Sequence, residues 1–558
     1  MKRTSTIFIS LILIISFLLS GCTTVNSLAV PSATPSPTVV ETSTTIKTPK
    51  LWLDATLPVS LQTAVKAESG FTLADTKDAA DLMLQVEPLS STIENSIGQV
   101  QWVYALEAPF PTVIDNLSAQ DLKNFWTGAA SPNFPMDKLL VSNETRAIFD
   151  FLWGASSQTN VVTVSEGQLA TNDFKELKTW AIVPFDQIAP RWKVIKIDNL
   201  SPLDKPMDTN DYTLKADFVL SSNSADQGLQ EAGKVILSSI PATNRDEAKM
   251  TVLMMTGTTA LVRAIAYKME IKGLDYPIEK IKDWFKGADL VHVSNEVSFN
   301  PDCPFPDYNQ KGLQFCSSPR YIQTLKDLGV NVVELTGNHE NDYGSEYLDS
   351  TIDTYNQLGW YTFGGGKTPA DAQAPVKIEV NGNKIAFIGC NPEGPVTDWA
   401  TDKQDGSAKC DMNYYDQQIT DLKSQGYVVI ATFQQYEVYT YLYGDQIADD
   451  FRNAAKAGAD IVSGSQAHYA MGFQFEGNSL IHYGLGNFLF DMMTYAVVGD
   501  DIRREFIDKH IIYDGKYINT ELYTAWLVDW SQPNPMTDQQ RSSFLTDVFN
   551  GSIWSEKP

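Results

Sequence analysis

The chain is 558 residues long, with a formal charge of −26, 43% apolar residues and 11% aromatic residues. That length exceeds one ordinary domain and allows two or three, each large enough to bury a full core. The acidic excess excludes nucleic acid and a bare anionic membrane surface as direct partners.

The first segment in chain order is an export signal over residues 1–22. Lys2 and Arg3 precede an apolar run from Ile7 to Leu19, which is too short to span a bilayer. The run ends in Leu19-Ser20-Gly21-Cys22, which resembles a bacterial lipobox. That resemblance implies an extracytoplasmic lipoprotein whose Cys22 carries the acyl chains that hold it to the membrane, the only membrane contact expected. Cleavage as an ordinary signal peptide is the alternative. Residues 23–50 are mostly Thr, Ser, Pro and Val with almost no charge; such a composition cannot bury a core and reads as a disordered tether.

Residues 51–244 mix strand and helix signals. "ADLMLQVEPL", "QWVYALEAPFPTV" and "TWAIVPFDQI" read as strands, and "SAQDLKNFWTG" as a helix with a Ser cap and a Gly stop. The segment holds no nucleophile motif, metal cluster or phosphate loop. Through "DNLSAQDLKNFWTG" and "WAIVPFDQIAPRWKVIKID" it resembles a lobe of the type 2 periplasmic solute-binding fold. An unclassified α/β spacer domain is the alternative.

From about Lys249 strands and helices alternate. Strand candidates are "KMTVLMMTG", "ADLVHVSNEV", "VNVVELTGN", "KIAFIGC", "YVVIATFQ" and "ADIVSGSQ". Between them lie the helix candidates "YPIEKIKDWFKG", "PRYIQTLKDLG", "SEYLDSTIDTYNQLG" and "DQIADDFRNAAKAG", several stopped by Gly. This alternation predicts an α/β sheet protein, in which ligands gather where loops leave the carboxyl ends of strands. Those loops carry Thr258, Asn295 and Glu296, Asn338 and His339, Gln434 and Gln435, and Gln466 and His468.

Eight stretches in order, from "MTGTTALVR" through "ADLVHVSNEVSF" and "LKDLGVNVVELTGNHENDYG" to "AGADIVSGSQAH" and "IHYGLGNFLFD", resemble the CapA family of poly-γ-glutamate capsule synthesis proteins. The resemblance implies a calcineurin-like (metallophosphoesterase) αββα sandwich over residues 245–500, preceded by the smaller α/β domain, with a metal centre at one sheet edge. Residues 501–558 read as an extension, with the strand-like "HIIYDGKYINTELYTAWLVDW" and the helix-like "DQQRSSFLTDVF", packing on that sandwich.

Against the family pattern, this chain departs at three ligand positions. Thr258 stands where the pattern has Asp, Gln434-Gln435 where a His-Trp pair is frequent, and Gln466 where the first His of Gly-x-His-x-His falls. Retained are Glu296 as the natural carboxylate, Asn338 as a ligand, His339 as the imidazole that assists a leaving group, and His468. A pair of divalent ions needs several anionic or imidazole donors, so a dinuclear centre is not expected. One Mg²⁺, Mn²⁺ or Ca²⁺ held by Glu296, Asn338 and His468, with Glu437 nearby, is the expected cofactor. A tight turn with a satisfied imidazole, and structural amides in a retired site, are the plainer alternatives.

Asp342 is placed to orient His339 through its second nitrogen. His482 is brought back beside His468 by the turn after "FEGN" and is a candidate to face the site, whereas His292, inside an apolar strand, reads as core. "FGGGKTPADA" lacks a P-loop ending and reads as a turn. After export, Cys303, Cys316, Cys390 and Cys410 form an even set that suggests disulfides. Nearest-neighbour pairing closes two short loops, and two other connectivities stay open. Three functions follow: an eroded-site protein of capsule synthesis or attachment, a non-catalytic scaffold that binds an anionic surface polymer or its synthesis complex, or an active metal-dependent hydrolase.

Overall fold

The computed structural model describes residues 48–88, 93–129, 134–169, 174–492 and 499–554. The export signal, Cys22 and nearly all of the tether lie outside the described residues. Among the described residues no helix is long and apolar enough to cross a membrane.

The first body is built on ten strands: β1 (Lys50–Leu53), β2 (Thr72–Leu73), β3 (Leu82–Glu87), β4 (Ser96–Pro109), β5 (Asn116–Leu117), β6 (Lys138–Val141), β7 (Val161–Thr163), β8 (Thr179–Pro184), β9 (Trp192–Ile197) and β10 (Lys215–Ser222). Their order is β2-β1-β3-β10-β4-β8-β6-β7, with β9 pairing both β4 and β5. The long β4 is the spine: its first half pairs β10 and its second half β8 and β9. Trp102, Tyr104, Trp126, Trp180 and Trp192 fill this core. The helix Ala119–Thr127 starts where the Ser118 side chain accepts the Asp121 N–H, and stops at Gly128 in the left-handed region.

The second body has two large sheets among the described residues. One runs β14-β13-β12-β11-β24-β25-β26, from β14 (Tyr361–Phe363), β13 (Val332–Glu334), β12 (Leu290–Asn295) and β11 (Met250–Thr259) to β24 (Arg504–Tyr513), β25 (Lys516–Val528) and β26 (Gln532–Pro535). β11 to β14 are parallel, and β24 pairs the free side of β11 in antiparallel. The short β23 (Asn487–Leu489) also pairs β11. The other sheet runs β16-β17-β19-β20-β22-β21, that is Val376–Val380, Asn383–Cys390, Val428–Gln434, Ile461–Ser465, Ser479–His482 and Phe473–Glu476.

The pleat of the strands sorts the core. On β11, Leu253 and Met255 face the second sheet, where Phe387, Ile430, Ile461 and Phe473 meet them. Val252 and Met254 face outward, into the layer that contains Ile265, Leu325 and Ile352 of the helices Arg263–Lys272, Ile322–Leu328 and Ser345–Gln357. On the far side, Val429, Ala431 and Val462 pack under the helices Met412–Ser424 and Asp445–Ala457. The layers are therefore helix, sheet, sheet, helix. Disulfides join Cys303 to Cys316 and Cys390 to Cys410.

Three sequence expectations change. "YPIEKIKDWFKG" is a series of turns ending in a single 3₁₀ turn, Lys282–Phe285, and not an α-helix. "FGGGKTPADA" holds a two-residue strand, β15 (Gly365–Gly366), paired with β18 (Gly406–Ser407), and then a short helix capped by Thr368. The C-terminal residues do not merely pack on the sandwich, since β24 to β26 are strands of its first sheet.

Three of the chain's five histidines are buried on the strands of the sandwich. His292 Nε2 lies 3.2 Å from Glu334 Oε2, His482 Nδ1 2.6 Å from Asp508 Oδ2, and His510 Nδ1 2.6 Å from Thr520 Oγ1. Burial pushes His510 down to about 4, with His482 and His292 adding to the effect and Asp508 opposing it. Because this folded value is below the ordinary 6.5, the neutral ring's contribution is complete above about pH 6.5 and is lost as pH falls toward 4. Wild type should therefore lose stability relative to His510→Gln across that window, by at most about 3 kcal/mol. Thermal melts of the two proteins at pH 7.5, 5.5 and 4 would show it; parallel curves would refute it.

Candidate functional site

The candidate site lies at the edge where the carboxyl ends of β12 and β13 meet those of β19 and β20. Polar side chains tie the sheets together there. Gln434 Nε2, at the end of β19, donates to Glu296 Oε1, just past β12, at 3.0 Å, and Ser465 Oγ, at the end of β20, lies 3.0 Å from Glu334 Oε1 of β13. The loop after β13 is pressed against β12 so closely that a Cβ on Gly337 would lie 2.6 Å from Glu296 Cα, which only glycine permits.

Gln434 is the centre of the arrangement. Its Nε2 is 3.0 Å from Glu296 Oε1, 3.3 Å from Asn338 Oδ1 and 2.5 Å from Gln466 Oε1. One carboxylate oxygen and two amide oxygens thus surround one amide nitrogen, which has only two protons to offer three acceptors. Its Oε1 faces the other way and accepts from Ser465 Oγ at 2.9 Å. Among the described residues, two buried oxygens at this edge, Glu296 Oε2 and Thr258 Oγ1, have no hydrogen-bond partner, nor has Gln435 Nε2. Among the described residues no group of three or more His, Cys, Asp or Glu side chains is arranged to hold a metal ion.

His339 forms a dyad with Asp342, whose Oδ2 lies 2.9 Å from Nδ1 and also accepts the Phe315 N–H at 2.7 Å. Burial pulls the imidazole down, but the hydrogen bond and charge of Asp342, with Glu296 and Asp398 behind it, outweigh burial and raise it above its ordinary value. The surroundings are acidic. Asp398, which accepts the Asn341 N–H at 3.1 Å, is pushed up to about 7, chiefly by burial. Glu340 is buried against Ser298 and held well above the carboxylate range, by burial first and then by the charges of Asp398, Glu296 and Asp342. Outside the cage an open depression is lined by Asn338, Glu393, Gln435, Tyr436, Glu437 and Gln466.

The remaining residues named from sequence are placed differently. Asn295 turns away from the cage, donating to Val297 O at 2.8 Å and to the Tyr355 hydroxyl at 3.2 Å, because adjacent positions on a strand face opposite sides. His468 Nδ1 is held by Asn487 Oδ1 at 2.8 Å, its ring stacks on Phe490, and its Nε2 is 3.7 Å from Glu437 Oε1. His482 is held by a different set of partners. Its bond to Asp508 and its stacking on Phe473, 4.0 Å between centroids, hold it between the sheets.

Sequence reasoning assigned no role to Arg263, Phe315, Phe490 and Asp491. The buried Arg263 guanidinium lies over the rings of Phe315 and Phe490, at 4.8 and 4.9 Å, and pairs with Asp491 at 2.9 Å. Phe315 packs on His339 and Phe490 on His468, each 4.7 Å between centroids, so this clamp braces both histidines. The signal was present in "GTTALVR" and "LGNFLFD", but nothing in either says that they meet.

The family model "Bacterial capsule synthesis protein PGA_cap" matches residues 252–492, a span that stops short of β24 to β26. "Capsule biosynthesis protein CapA" of Bacillus anthracis is 25% identical over 330 residues, covering 57% of this chain and 78% of that protein. "PGA biosynthesis protein CapA" of Bacillus subtilis (strain 168) is 25% identical over 238 residues, 42% of this chain and 62% of that one. Among solved structures, a 5'-nucleotidase precursor from Thermus thermophilus is similar at 12% identity and a TM-score of 0.31, covering 54% of this chain and 57% of that chain. An ABC-type phosphate transport receptor from Vibrio cholerae is similar at 11% identity and a TM-score of 0.28, covering 34% and 93%.

Proposed function

Since residues 252–492 of this chain belong to the CapA family of bacterial capsule synthesis proteins, we propose that the protein works outside the cytoplasm, lipid-anchored through Cys22, in the synthesis or attachment of an anionic surface polymer such as poly-γ-glutamate. Its sheet-edge site is an eroded phosphoesterase-type centre that takes at most one hard cation. The observation that carries this reading is the Gln434 amide nitrogen among the Glu296, Asn338 and Gln466 oxygens. One carboxylate cannot balance two divalent ions, and an amide N–H donates where a ligand must accept.

A single hard cation suits the same residues. Turning the Gln434 amide end for end points its N–H at Ser465 and its oxygen into the cage, beside the unpartnered Glu296 Oε2 and Thr258 Oγ1. All these donors are oxygens, as Mg²⁺ and Ca²⁺ prefer. Such an ion would supply the positive charge that lets an anionic polymer approach a site otherwise surrounded by Glu393, Glu437 and Asp398. His339, fixed by Asp342, would donate a hydrogen bond to the same group.

The test combines elemental analysis after dialysis, calorimetric titration with Mg²⁺, Ca²⁺ and Mn²⁺, and phosphodiesterase and phosphatase assays. At most one ion per chain, weakened by Glu296→Gln, with no phosphoester turnover, is the expected result. Two ions per chain, or turnover that depends on Glu296, would overturn it in favour of the hydrolase. The His339–Asp342 dyad is the feature that favours this second reading. The double variant Gln434→His, Gln466→His restores imidazole donors and should bind Mn²⁺ more tightly than wild type.

A further inference from the structure

A second site lies at the seam between the two bodies, where β9 of the first approaches β25 and the helix Asp538–Asn550 of the second. It is a cleft lined by Lys193, Lys196, Trp284, Tyr523, Pro535 and Arg541. These residues come from stretches far apart in the chain, and clefts between bodies are common places for small ligands.

The charges in this cleft do not cancel. Asp115 is saturated: Arg541 grips both its oxygens, at 2.5 and 2.9 Å, and Lys193 Nζ lies 2.6 Å away. Glu521 is held by Lys509 at 2.6 Å and by Ser201 at 3.2 Å, and Lys509 also reaches Asp204 at 2.9 Å. Three cations therefore match three carboxylates. Lys196 is left over: among the described residues its ammonium has no hydrogen-bond or ion-pair partner. Burial works against its charge, but Glu521, Tyr523 and Asp204 keep it protonated above the ordinary lysine value. In a chain with a net charge of −26, a sheltered unpaired cation is a local exception. Beside it the rings of Trp284 and Tyr523, 5.1 Å apart, form an apolar wall, continued by Pro535 and Met536.

We propose that this cleft binds a carboxylate-bearing ligand, its carboxylate on Lys196 and its apolar portion against Trp284 and Tyr523. A compact inorganic oxyanion would meet the ammonium but gain nothing from the rings. A carboxylate with a flat or hydrocarbon neighbour uses both, and charge-assisted hydrogen bonds are the stronger kind. The inference is independent of the oxygen cage and of what that cage does.

The experiment titrates full-length mature protein with acetate, phenylacetate and inorganic phosphate, followed by calorimetry and by Trp fluorescence. Phenylacetate should bind tightest, and Lys196→Met, which keeps the aliphatic stem, should weaken it roughly tenfold or more. Lys196→Arg should retain most of the affinity, and Trp284→Ala should abolish the preference for phenylacetate over acetate. Equal binding by Lys196→Met and wild type would overturn the proposal. So would phosphate binding as tightly as phenylacetate, which would mean general attraction to the lysines. Circular dichroism of each variant separates loss of binding from loss of fold.

Discussion

Replacing Asp491 with alanine is expected to destabilise the protein by about 3–5 kcal/mol, because it strands a buried guanidinium. The Arg263 side chain is 6% exposed and its partner's is 0%. Asp491 Oδ1 takes the Arg263 Nε–H at 2.9 Å and its Oδ2 takes the Ala264 N–H at 2.6 Å, so one carboxylate also pins the start of a helix. Arg263 itself holds a left-handed backbone, at φ 43°, which no β-carbon-bearing residue adopts for free. Equilibrium urea unfolding would measure the loss. Removing both charges, Arg263→Met with Asp491→Leu, should recover a large part of it, since the cost lies in the unpaired charge. A single variant as stable as wild type would mean that the clamp is not structural. The same variant should broaden the NMR signals of His339 and His468, whose rings lean on Phe315 and Phe490.

Reduction of the two disulfides together should be at least as costly. The bonds span 13 and 20 residues, and loops of this size constrain the unfolded chain by about 3 kcal/mol each. The Cys303–Cys316 loop matters twice, because Phe315, next to its second cysteine, packs on His339. Unfolding midpoints of Cys303→Ser with Cys316→Ser, and of Cys390→Ser with Cys410→Ser, should each fall well below wild type. The first pair alone should alter the His339 environment. Midpoints unmoved by dithiothreitol in wild type would contradict the expectation.

Local signals read correctly from sequence because their physics is local. Ser118 and Gly128 bound a helix whatever surrounds it. The strand ends that carry Glu296, Asn338, Gln434 and Gln466 were legible because a parallel sheet places its loops on one edge. Side-chain direction was not. Asn295 and Glu296 are neighbours, and only the pleat decides that one meets Tyr355 while the other enters the cage. Gln434 was visible as a substituted ligand but not as the centre of the cage, because the Ser465 hydroxyl, on another strand, sets the direction of its amide. "YPIEKIKDWFKG" has helical spacing of Ile278, Ile281 and Phe285, all buried. Yet the chain passes in three-residue steps, Tyr276 to Gly273, Ile278 to Asp275 and Ile281 to Ile278.

The pairing of β24 with β11 joins residues about 250 positions apart, and this has a cost in time. During synthesis β11 leaves the ribosome long before its neighbour exists, so one side of its ladder stays open while the rest of the sandwich is being made. An open strand of this kind recruits other chains. Cutting the gene after Asp491, where the family match almost ends, should therefore yield a protein that aggregates rather than a smaller soluble sandwich.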